Sequence, residues 1–174
     1  MFAKHNTSLK IMLYSLIMLV LYLFQSVPSL NIRFMGRAPE LLLVLTICVA
    51  FHESETFAAF FGLFAGLLND VVTDSIVGKS ALFFMFAAFL IAVLLQTMIR
   101  NFFLSYIFIS LITIAIYLLS GYLFNLLFLS ALPFLKAALE VLLPKFLFTG
   151  VLTYPVYFII HFVHSRLETG GDGI

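Results

Sequence analysis

The stretch from Ala58 to Gly78, AAFFGLFAGLLNDVVTDSIVG, decides how this chain is read. Ala58, Gly62 and Gly66 recur at every fourth residue, which places them on one face of a helix. Glycine costs about 1 kcal/mol relative to alanine inside a helix, so helix propensity does not explain its presence here. Small-xxx-small spacing lets a neighbouring helix approach closely in lipid. This face therefore either binds a partner subunit or packs within the chain's own bundle. Asn69 and Asp70 close the apolar run. A carboxylate is unfavourable at a helix C-terminus, where the macrodipole is negative, so Asp70 requires a compensating partner. Lys79 and Arg37, on the same side of the membrane, are the candidates. As an acid at the end of an apolar segment, Asp70 is also a candidate to line a ligand or ion path. Asp74 and Ser75 are placed to cap the following helix.

Around this stretch the composition points the same way. The chain has 174 residues, 64% of them apolar and 10% charged, with a mean hydropathy of +1.20. A soluble domain is about 45 to 50% apolar and about 25% charged. Too little polar surface remains to cover a water-soluble globule, and an integral membrane protein is expected. A net charge of +1 and one cysteine, Cys48, exclude a nucleic-acid binder and a disulfide scaffold.

Charged residues and prolines divide the chain into six predicted spans, 10–27, 39–52, 56–70, 79–99, 102–130 and 146–164. Together they make one all-α membrane domain over residues 1–174. A spanning helix takes about 20 residues, so six use roughly 120 and leave only short connections. The second and third are short, reaching about 21 to 23 Å against a hydrocarbon core of about 30 Å. A re-entrant hairpin would put His52-Glu53-Ser54-Glu55 at the bilayer centre, at a cost of at least ~2.5 kcal/mol for one carboxylate. Two full spans are therefore preferred. The fifth segment, about 43 Å long as a helix, must tilt or bend, with Gly121 as the bend site. Lys136 and Glu140, one turn apart between Pro133 and Pro144, suit a short interfacial helix or a hydrophobic loop on the bundle.

Six spans put both termini on one side. Lys4, Lys10, Arg100 and Arg166 fall there, and Arg33, Arg37, Lys79, Lys136 and Lys145 fall on the other. The count does not decide orientation; the basic residues beside an amino terminus that need not be translocated favour cytoplasmic termini. His161 and His164 lie one turn apart without a carboxylate or cysteine beside them, and read as juxtamembrane residues rather than metal ligands. No nucleophile elbow, phosphate-binding loop or His-Glu-x-x-His is present. Neither an enzyme nor a cofactor is expected.

Pro39-Glu40-Leu41-Leu42-Leu43, then Gly62-Leu63-Phe64-Ala65-Gly66-Leu67-Leu68-Asn69-Asp70, then Gly78 and Ala81-Leu82 together resemble the MreD family of bacterial rod-shape-determining membrane proteins. The likeness in motifs covers about residues 39 to 90, and length and span number agree over the whole chain. The resemblance implies a non-enzymatic subunit of the wall-synthesis machinery in the bacterial plasma membrane. Its partner would be an MreC-like single-span protein, linked indirectly to MreB filaments and to RodA with its transpeptidase. It also implies that Pro39, Asn69, Asp70, Asp74 and Gly78 shape the connections and the extracytoplasmic surface. The competing expectation is the substrate-binding subunit of an energy-coupling-factor vitamin transporter, of similar size and span number. Those subunits dock through small residues in the first span, and Ile11 to Phe24 contains no alanine or glycine.

Overall fold

A computed structural model of the chain describes residues 3–27, 38–73, 76–98, 102–128 and 138–169, and these are helical apart from short connections. Six α-helices follow in order: α1 (Ala3–Ser26), α2 (Leu41–His52), α3 (Glu55–Val72), α4 (Lys79–Met98), α5 (Phe102–Phe128) and α6 (Leu143–Thr169). A π-helical turn, Ala138–Leu142, runs directly into α6. Glu140 lies in this π-turn, and Lys136, its partner in the predicted interfacial helix or loop, lies outside the described residues. Leu143 and Pro144, the first residues of α6, follow the π-turn without a break.

Among the described residues three helices are long and apolar enough to cross a membrane: α3, α5 over Ser105–Phe124, and Ala138–Ile160, which runs from the π-turn into α6. The other three contain shorter apolar helices, Lys10–Ser26, Leu41–His52 and Lys79–Leu95. α3 extends two residues beyond the third predicted span, and Asp70 stands in its last turn. α5 runs uninterrupted through Gly121.

α2 is the axis of the bundle. Every residue from Leu42 to Phe51 is buried, and all five other helices touch it. The sequence LLLVLTICVAFH is apolar around its whole circumference, which suits a helix enclosed on every side. Its twelve residues span about 18 Å. Successive helices alternate in direction. Lys10 and Tyr14 of α1 meet Glu53 at the end of α2, whereas Gln25 of α1 meets Asn69 at the end of α3. The bundle therefore has one end carrying Lys10, His52 and Glu53, and an opposite end carrying Gln25, Glu40, Asn69, Lys79 and Lys145.

Among the described residues the most extensive helix pair is α3 with α4, and the glycine face is what joins them. A Cβ on Gly62 would lie 2.6 Å from the Phe84 carbonyl oxygen, and one on Gly66 would lie 2.4 Å from the Ala81 Cα. Ala58 is fully buried beside them. The two backbones are in direct contact, so van der Waals packing between helices, the main source of cohesion in lipid, is realised along this seam.

Candidate functional site

The polar side chains of the Gln25 end form a buried node on Asn69. Its amide oxygen accepts from Gln25 Nε2 at 2.9 Å. Its amide nitrogen donates to the Tyr117 hydroxyl at 2.9 Å and to Ser80 Oγ at 3.4 Å. Ser80 Oγ and the Tyr117 hydroxyl also pair, at 3.0 Å. One residue on α3 thus ties together α1, α4 and α5. Asn69 has no exposed surface, and each such bond replaces a hydrogen bond to water that the apolar surroundings cannot supply.

Asp70, the next residue, closes the corner between α3 and α4. Its Oδ2 accepts from the Gly78 N–H at 2.8 Å and the Ala81 N–H at 3.4 Å, and its Oδ1 from the Ser80 N–H at 2.9 Å. The Lys79 N–H goes to the Ile76 carbonyl and the Leu82 N–H to the Gly78 carbonyl. Every N–H from Gly78 to Leu82 therefore has an acceptor, although the first amides of a helix have none within the helix. The Asp70 carboxylate is met by backbone amides and the positive end of the α4 dipole, and Lys79, one of the two expected partners, lies within electrostatic reach of it. Arg37, Asp74 and Ser75 lie outside the described residues; the amides that Asp74 and Ser75 were expected to cap are held by Asp70. Gly78 has φ +102°, in the left-handed region that glycine enters without strain.

Lys79 turns toward α5, where its Nζ lies 5.0 Å from the Phe124 ring centroid. Gly121 is its neighbour on α5, where a Cβ would lie 3.8 Å from that nitrogen, at ordinary contact distance. Lys79 is also within electrostatic reach of Asp70, Glu40 and Lys145.

Glu40 is the second buried acid at this end, 2% exposed. It precedes α2, its Oε1 is ion-paired with Lys145 of α6, and its N–H donates to Thr149 Oγ1 at 3.3 Å. The positive N-terminus of α2 also favours the carboxylate. Its Oε2 is buried and accepts no hydrogen bond among the described residues. Pro39 is buried immediately before it.

Of the residues expected to shape the connections, Asn69 and Asp70 are buried in the last turn of α3, Pro39 is buried at the head of α2, Gly78 forms the turn into α4, and Asp74 is outside the described residues. Gly62 and Gly66 face α4 of the same chain, and Ala58, one turn before Gly62, is buried. Sequence reasoning missed Gln25, Ser80 and Tyr117, whose signal was that each is a polar group in or beside an apolar run. The side chains of His161 and His164 lie outside the described residues. No three His, Cys, Asp or Glu side chains group together among the described residues.

At the opposite end Glu53 accepts from the Tyr14 hydroxyl at 3.0 Å and pairs with Lys10 at 3.4 Å. Eleven helical residues, about 16 Å, separate Tyr14 from Gln25, and the apolar length of α2 fills the interval. Between the two ends, Cys48 Sγ and the Tyr106 hydroxyl meet at 2.9 Å, and that hydroxyl also donates to the Thr153 carbonyl. No family model, curated protein or solved structure matches the chain.

Proposed function

We propose that the chain is a six-span, non-enzymatic scaffold subunit of the bacterial cell-elongation complex, seated in the plasma membrane and supporting lateral peptidoglycan synthesis by binding an MreC-like single-span partner. The name rests on the resemblance of residues 39 to 90 to the MreD family. The observation that supports a scaffold is the use made of the polar residues. Asn69, Asp70, Ser80 and Tyr117 join helices to one another, and the face of Gly62 and Gly66 is occupied by α4. The motif that carries the resemblance therefore builds the fold, and partner contacts fall to the outward faces. α1 presents Met12, Leu16, Leu19 and Leu23 on its exposed side, a continuous apolar stripe suited to a second helix in lipid. In this reading the termini are cytoplasmic, and the Asp70 to Gly78 corner faces the extracytoplasmic domain of the partner.

The vitamin-transporter alternative needs a pocket with convergent polar groups. The cleft between α5 and α6 has walls whose Ser110 and Thr153 hydroxyls bond to carbonyls of their own helices, which does not favour it. The deciding experiment is to purify the tagged chain, mildly solubilised, from its native membrane and identify what accompanies it by mass spectrometry. Recovery of a single-span protein with an extracytoplasmic coiled coil and wall-synthesis enzymes is expected. Recovery of paired cytoplasmic ATPases with a coupling membrane subunit overturns the proposal.

A further inference from the structure

We draw no further inference here: the strongest candidate, the apolar cleft between α5 and α6 walled by Tyr106, Leu111, Phe146 and Gly150, has its Ser110, Thr153 and Tyr106 hydroxyls already engaged by protein groups, and nothing in the structure shows what covers it.

Discussion

Asn69 Nδ2 donates to the Tyr117 hydroxyl at 2.9 Å, joining α3 to α5 across 48 positions of sequence. The same amide group receives Gln25 from α1 through its oxygen, so it is the one polar side chain at this end bonded to three other helices among the described residues. A bundle whose interior and lipid-facing surfaces are both apolar has little hydrophobic contrast to fix the rotation of its helices. A buried amide with fixed donors and acceptors supplies that contrast, because only one rotation of each helix satisfies it.

Removal of the Asn69 amide is the direct measure of this node. Asn69→Ala leaves Gln25, Ser80 and Tyr117 short of a partner, and the expected loss is about 1–3 kcal/mol of unfolding free energy in detergent. Tyr117→Phe removes one bond and is expected to cost about 0.6 kcal/mol, the average for such contacts in membranes. The double variant then loses less than the sum, which a double-mutant cycle reads directly.

Asp70 acts on the start of α4. Asp70→Ala frees the Ser80, Ala81 and Gly78 amides together, and a loss of about 2 kcal/mol, the upper end for a helix cap, is expected. Asp70→Asn keeps an acceptor oxygen but gives up the charge, so a smaller loss follows. Hydrogen exchange at Ser80 and Ala81 should rise in both variants, more in Asp70→Ala; unaltered exchange would contradict the capping role.

The glycines separate by what surrounds them. Gly62→Ala and Gly66→Ala drive a methyl group into the backbone of Phe84 and Ala81, so α3 and α4 must part. Each is expected to lower the yield of folded protein severely. Gly78→Ala meets no atom within 4 Å and carries only the strain of positive φ, about 1–2 kcal/mol. Thermal melts in detergent should therefore rank Gly66→Ala well below Gly78→Ala. Loss of partner recovery in Gly62→Leu or Gly66→Leu counts toward an interface only when it exceeds the loss of folded chain.

The Glu40–Lys145 pair makes the last prediction. Lys145→Met leaves a buried carboxylate without its cation, and a loss of about 3–5 kcal/mol is expected. Adding Glu40→Leu removes the stranded charge and should recover most of that loss, because a buried ion pair is commonly replaceable by apolar packing. Denaturation of the two variants side by side checks this. A double variant no more stable than Lys145→Met would show that the carboxylate itself holds α2.

The helices themselves were legible because each is an apolar run bounded by charge or proline, and the predicted segments match the observed ones to within a few residues except at α1 and α6. α1 begins at Ala3 and α6 extends from Leu143 to Thr169, since helical hydrogen bonding continues past the point where hydropathy falls. The importance of Asn69 and Asp70 was also visible, as polar residues closing an apolar run. Their partners were not. Gln25, Ser80 and Tyr117 lie 44, 11 and 48 positions away from Asn69, and no local pattern encodes which of many hydroxyl and amide groups will converge.

What the amino-acid sequence determined by itself is the solvent and the secondary structure: a 64% apolar chain with 10% charge must place its surface against lipid, and there its backbone can be satisfied within helices. It also determined that α3 carries a face smooth enough for close approach. Only the tertiary structure decided that α4 of the same chain takes that face, that the α4 amides hold Asp70, and that α2 is enclosed on all sides. The physical reason is that burial in lipid does not sort residues by polarity as water does. Inward and outward faces are then set by shape and by a few hydrogen bonds between distant residues.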